Sequence, residues 1–248
     1  MPEPTRPVAL VANADFYVGP ALSRRLAARG FDLVLGDPPA DLVAELEAAG
    51  TTVEAVTGVG NLARPESAPK LVEAGLARFG RLDSAVAFSG QIVVGRFLKS
   101  SIDDLHKVVS GCLEAPYHFL KAAVAPMVEQ GEGQLLLITS AAGLRPTPGA
   151  PLYSSARAAA TMLARNVAAE VARNGVQVNA VGTNFMDFPE FLAASGATDP
   201  EVRARLESEV PLRRLGTMEE FAAFCMAFVD GSSRFTTGQT VAYAGGWA

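Results

Sequence analysis

The chain has 248 residues, 49% of them hydrophobic and 19% charged, with a formal net charge of −5. That length and apolar content suit one large α/β domain spanning 1–248 and argue against disorder. The negative balance offers no basic field for nucleic acid, no apolar run approaches the roughly 18 residues of a membrane span, and two cysteines and two histidines give neither a disulfide framework nor a metal-ligand spacing.

Short apolar runs alternate with helical patterns along almost the whole chain. Val8 to Val11 reads as the first strand, followed by a helix from Pro20 to Arg29. Leu33 to Leu35 and Thr52 to Ala55 are strands separated by a helix from Ala40 to Ala49. A helix from Ser67 to Phe79 leads to a strand at Ala85 to Phe88, and a long helix from Ile102 to Gln130 leads to one at Gln134 to Ile138. Ser154 to Arg173 is helical, Val176 to Val181 and Thr240 to Tyr243 are strands, and a further helix starts at Glu201. Gly30, Gly50, Gly80 and Gly175 stand where helices stop. Such alternation predicts a doubly wound parallel sheet of about seven strands flanked by helices. The irregular stretch from Gly182 to Pro200 is either a lid beside the ligand or a packed surface loop. With no signal-peptide core between Met1 and Pro7, a soluble cytoplasmic protein is expected.

The chemistry concentrates in Ser140, Tyr153 and Arg157. Tyrosine and arginine four apart share a helix face, so the cation favours phenolate and primes Tyr153 as a base. The Ser140 hydroxyl is then free to hold a substrate oxygen. A trio of this kind also arises by coincidence among surface residues, so its surroundings decide.

Those surroundings resemble the short-chain dehydrogenase/reductase family over essentially the whole chain. Phe79-Gly80-Arg81-Leu82-Asp83 precedes the fourth strand, and Gln177-Val178-Asn179-Ala180-Val181 marks the sixth. Pro211-Leu212-Arg213-Arg214-Leu215-Gly216-Thr217, Thr237-Gly238-Gln239 and Gly245-Gly246-Trp247 follow. The departures from that family concern its dinucleotide site. Its three-glycine turn reads Ala12-Asn13-Ala14-Asp15-Phe16-Tyr17-Val18-Gly19, with Tyr17 in place of a middle glycine. Ala87-Phe88-Ser89-Gly90 replaces Asn-Asn-Ala-Gly, Asn61 an acidic residue, Cys112 the relay asparagine, Thr183-Asn184 a Pro-Gly, and Arg157 the usual lysine. Asp37, after the second strand, stands where the family's NAD enzymes hold ribose hydroxyls, and is also an ordinary turn residue before Pro38.

The pattern is similar to the halohydrin dehalogenases, a branch of the same superfamily with a Ser-Tyr-Arg triad. Their first turn carries a threonine, an aromatic and a glycine; Tyr17 and Gly19 match, and Ala12 does not. The resemblance implies an enzyme with no cofactor, closing vicinal haloalcohols to epoxides and opening epoxides with halide, azide, cyanide or nitrite. Tyr153 would be its base and acid. Tyr17, Thr183, Asn184, Phe185 and Met186 would form its halide pocket. It also implies a homotetramer pairing the long helices and the last strand and helix, and with the chain stopping at Ala248 no long tail is expected to reach a neighbour's pocket. Two other readings stand beside it: an NAD(P)-dependent short-chain oxidoreductase that tolerates arginine for lysine, and a non-catalytic binding protein.

Overall fold

The computed structural model describes residues 6–248; Met1 to Thr5, part of the segment read above for a signal core, lie outside them. Seven parallel strands form one sheet in the order β3-β2-β1-β4-β5-β6-β7. They are β1 Val8–Val11, β2 Asp32–Gly36, β3 Val53–Val56, β4 Ser84–Phe88, β5 Gly133–Ser140, β6 Val176–Thr183 and β7 Thr240–Tyr243. Parallel strands buried on both faces need apolar side chains in succession. In β1, Val8 and Leu10 enter one core with Leu135 and Leu137 of β5, while Ala9 and Val11 enter the other with Leu136 and Ile138.

Helices α1 Gly19–Ala28, α2 Ala40–Ala48 and α9 Met218–Val229 are joined to the rest through the second core. Helices α3 Ser67–Phe79, α5 Ala115–Gln130 and α6 Pro151–Val171 cover the first. Helix α4 spans Ile102–Val109, and α7 Pro189–Ser195 and α8 Pro200–Glu209 lie between β6 and α9. No helix among the described residues is long and apolar enough to cross a membrane.

Two elements differ from the sequence expectation. The long helix from Ile102 to Gln130 is interrupted at Ser110–Glu114 by a π-turn, in which the Ala115 N–H donates to the Ser110 carbonyl. Pro116 follows and has no N–H to continue an α-helical ladder. The wider turn also brings Gly111 against Gln91, where a Cβ would lie 2.7 Å from the Gln91 side chain. The stretch after β6 is not wholly irregular: it contains α7 and is tied back by a parallel bridge between Met186 and Gly216.

Candidate active site

The strand order reverses between β1 and β4, which opens a crevice at the carboxyl ends of the strands. A groove of about 480 Å³ occupies this crevice, lined by Asn13, Asp15, Asn61, Ser89, Gly90 and Gly111 among others. The Asp37 end of β2 marks the side on which this fold meets an adenosine ribose. Asp37 has φ 47° and its carboxylate accepts from the backbone N–H groups of Gly58 (2.5 Å) and Val59 (2.9 Å). The carboxylate thus anchors the turn after β3.

Ser140, Tyr153 and Arg157 stand at the other end. Ser140 is the last residue of β5, opposite Thr183 of β6; its Oγ accepts from the Ala142 N–H at 3.2 Å and donates to the Thr183 carbonyl at 3.4 Å. Pro151 starts α6, placing Tyr153 in its first turn and Arg157 one turn later. The Arg157 guanidinium carbon lies 5.1 Å from the Tyr153 ring centroid and 5.8 Å from that of Phe88. Arg157 is 1% exposed and donates to the Ser89 carbonyl, while its Nε has no hydrogen-bond partner. No carboxylate pairs with it among the described residues. A buried cation without a counter-charge is costly, and its charge bears on the aromatic ring beside it.

Two glycines make room for this arginine. A Cβ on Gly90 would lie 1.7 Å from Arg157 Nη2, and one on Gly143 would lie 2.7 Å from the Arg157 backbone. Their role was not read from the sequence, because it depends on where α6 comes to rest against two strand ends.

The β1–α1 turn is closed by aromatic side chains. Tyr17, at φ 56°, turns its ring into a cluster with Phe188 (centroids 4.7 Å apart), Phe88 (5.0 Å), Phe221 (5.8 Å) and Phe16 (6.2 Å). Its hydroxyl donates to Thr183 Oγ1 at 3.0 Å, bridging from α1's start to the end of β6. Burial pushes the Tyr17 phenol well above its ordinary value, so it remains a donor. Asp15, whose carboxyl is raised by burial and by the negative Asp37, sits at the groove mouth. The Gly19 N–H donates to the Phe16 carbonyl at 3.0 Å, and Pro20 contributes no N–H.

Of the five residues expected to hold an anion, Tyr17 and Thr183 meet through one hydrogen bond, while Asn184, Phe185 and Met186 line a separate cavity of about 120 Å³ with Gly216 and Tyr243. Thr183 Oγ1 is taken by Tyr17, and Asn184 Oδ1 accepts the Phe185 N–H at 2.9 Å. The Phe185 ring turns to Trp247 and Phe191, and Met186 packs into the core beneath the sheet end. Phe188, three residues on, is the aromatic that meets Tyr17. The reason is backbone geometry: Phe185 takes φ 55°, and the bridge to Gly216 fixes Met186 on the other side of the strand end.

With this architecture in view, the comparisons with known proteins are decisive for family. The family described as Enoyl-(Acyl carrier protein) reductase matches residues 17–248. The chain is 32% identical over 248 residues to a 3-oxoacyl-[acyl-carrier-protein] reductase of Synechocystis sp., covering 98% of this chain and 97% of the other. The solved structure of an acetoin dehydrogenase from Enterobacter cloacae superposes with a TM-score of 0.83 at 28% identity, covering 99% and 96% of the two chains. A structure titled ElxO with NADP bound gives 0.86 at 20% identity, covering 98% of each chain. The chain belongs to the short-chain dehydrogenase/reductase family, and its fold is that family's Rossmann-like sheet.

These findings correct the expectation of a cofactor-independent halohydrin dehalogenase. The relatives reported are reductases and dehydrogenases, and the similarity runs through the whole chain. The Ser-Tyr-Arg spacing misled because it specifies a proton-transfer site, and the same tyrosine chemistry serves either reaction.

A nicotinamide dinucleotide fits this groove in part. The wide end by Asn61, Ser89 and Gly90 is open. Between it and Ser140 the way is filled: the Tyr17 ring lies across it, one amide at the helix start is already bonded, and the Pro20 amide is absent. With these residues as they stand, the whole dinucleotide does not fit.

Proposed function

We propose that the protein is an NAD(P)-linked short-chain oxidoreductase interconverting a carbonyl and an alcohol on a small substrate. The observation that carries this is the Ser140–Tyr153–Arg157 arrangement at the strand ends of a chain whose relatives are reductases and dehydrogenases. In this reading Ser140 Oγ donates to the substrate oxygen and sets its position. Tyr153 gives its phenolic proton to that oxygen as the carbonyl becomes an alcohol, and takes it back in the reverse direction. The Arg157 charge, 5.1 Å from the ring, stabilises the phenolate left behind. The groove does not accept the whole dinucleotide as it stands, so the proton half of the reaction is what the chain's own residues define.

The names of the relatives point to 3-oxoacyl thioesters and to vicinal hydroxyketones as the first substrates to try. The test is consumption of NADH or NADPH with such compounds, using the protein and a Tyr17→Gly variant. Turnover that Tyr153→Phe abolishes supports the reading; no turnover by either chain, with either coenzyme, removes it. The homotetramer is part of the same proposal, because Phe97 and Leu98 just before α4 and Ile102 at its start are exposed. The mass of a single chain in solution would remove that part.

A further inference from the structure

We infer that Tyr17 is a latched plug that closes the nicotinamide end of the groove and must leave it before a dinucleotide can bind fully. The inference rests on the oxidoreductase reading for its purpose, and on the geometry of the turn for its substance.

Three independent features converge on the same place. First, Tyr17 holds φ 56°, a left-handed conformation uncommon for a residue with a side chain, at a turn where the chain needs its backbone bent. That bend aims the ring across the crevice rather than out to solvent, and Phe16, Phe88, Phe188 and Phe221 surround it. Second, the hydroxyl ends the span with a 3.0 Å hydrogen bond to Thr183 Oγ1. Thr183 faces Ser140 in the sheet register, so the latch lies at the reacting end and not at the adenosine end. Third, the anion-binding capacity of the helix start is reduced. The Gly19 N–H is spent on Phe16, Pro20 has none to give, and Asp15 places a carboxyl at the mouth.

The other half of the crevice is unlike this. Asn13, Asn61, Ser89 and Gly90 line an open groove, with Phe16 and Phe88 along its wall. Its mixed lining of amides, hydroxyls and aromatic rings suits the neutral, hydrogen-bonding face of an adenosine. The two halves therefore make separable contributions, and a dinucleotide has to displace the plug to realise the second.

The test compares adenosine 5′-monophosphate with NADH by calorimetry, together with the nicotinamide fluorescence of NADH on mixing. For the native chain, NADH binds no more than about threefold tighter than the mononucleotide, with little change in its emission. Tyr17→Gly is expected to tighten NADH at least tenfold, about 1.4 kcal/mol, and to leave the mononucleotide unchanged. Thr183→Val keeps the side-chain size and removes the latch, so it should tighten NADH several-fold; circular dichroism checks that each variant is folded. Native NADH binding more than tenfold tighter than the mononucleotide overturns the inference, as does a folded Tyr17→Gly and Thr183→Val pair with no gain. The two readings fail differently. If Tyr17→Gly gains NADH binding without turnover of any carbonyl compound, the plug stands and the oxidoreductase reading falls. If the native chain turns over NADH readily and Tyr17→Gly changes nothing, the reverse holds.

Discussion

The two ends of the crevice are built on opposite plans. At the β5–α6 end, a serine, a tyrosine and a cation are buried on rigid elements, with glycines making room for the cation. At the β1–α1 end, side chains have been added where the fold usually leaves backbone bare, and they bond to one another. The difference shows that a shared fold constrains proton chemistry and cofactor access separately. One end keeps its pattern while the other is rebuilt, even though Phe88 touches both Tyr17 and Arg157 and Tyr17 bonds the residue opposite Ser140.

That contrast can be broken most sharply at Tyr153. Tyr153→Phe should lower turnover of any accepted substrate by roughly 100- to 10,000-fold while leaving the thermal midpoint near the native value; steady-state rates and a melting curve decide it. Phe221→Ala removes the fully buried floor under Tyr17 and Tyr243. It should cost about 3–5 kcal/mol in urea unfolding and, by loosening the aromatic cluster, should weaken the β1–α1 end more than the β5–α6 end. Gly90→Ala tests the seam between them. Its new methyl must push the Arg157 guanidinium aside, at about 1–3 kcal/mol of stability, and should reduce turnover.

The smallest effects lie beyond both ends, at the start of α9. Thr217 and Glu220 form a reciprocal cap, and Thr217→Ala should cost about 1 kcal/mol. Arg214 and the cap hold the Glu220 carboxyl down to about 2 from an ordinary 4.5. A carboxyl that is lowered on folding adds stability above its unfolded value and loses it as the pH falls through its folded one. Native and Glu220→Gln chains should therefore differ in melting temperature at pH 6 and converge as the pH approaches 2. A difference that persists unchanged at the acid end would show that the ion pair is not its source.

Much of both ends was legible in the residues, though unequally. The order of strands and helices followed from apolar runs, and the π-turn did not, because Pro116 and Gly111 signal it only once Gln91 is known to lie alongside. Ser140, Tyr153 and Arg157 could be found by spacing alone, since four residues on a helix fix a shared face. Gly90 and Gly143 could not be assigned as their supports. Tyr17 was recognisable as bulk in a turn that needs none. The ring that meets it, Phe188, was not, since only the fold shows which side chain after β6 lies against Tyr17.

By itself the sequence determined the alternating fold, the proton-transfer residues and the loss of the glycine-rich turn, because periodicity and short-range spacing are written along the chain. Only the tertiary structure decided that Arg157 lies buried under Gly90 and that Tyr17 reaches Thr183, 166 positions away. Contacts of that separation depend on how strands stack in space, and neither the composition nor the local pattern around either residue encodes them.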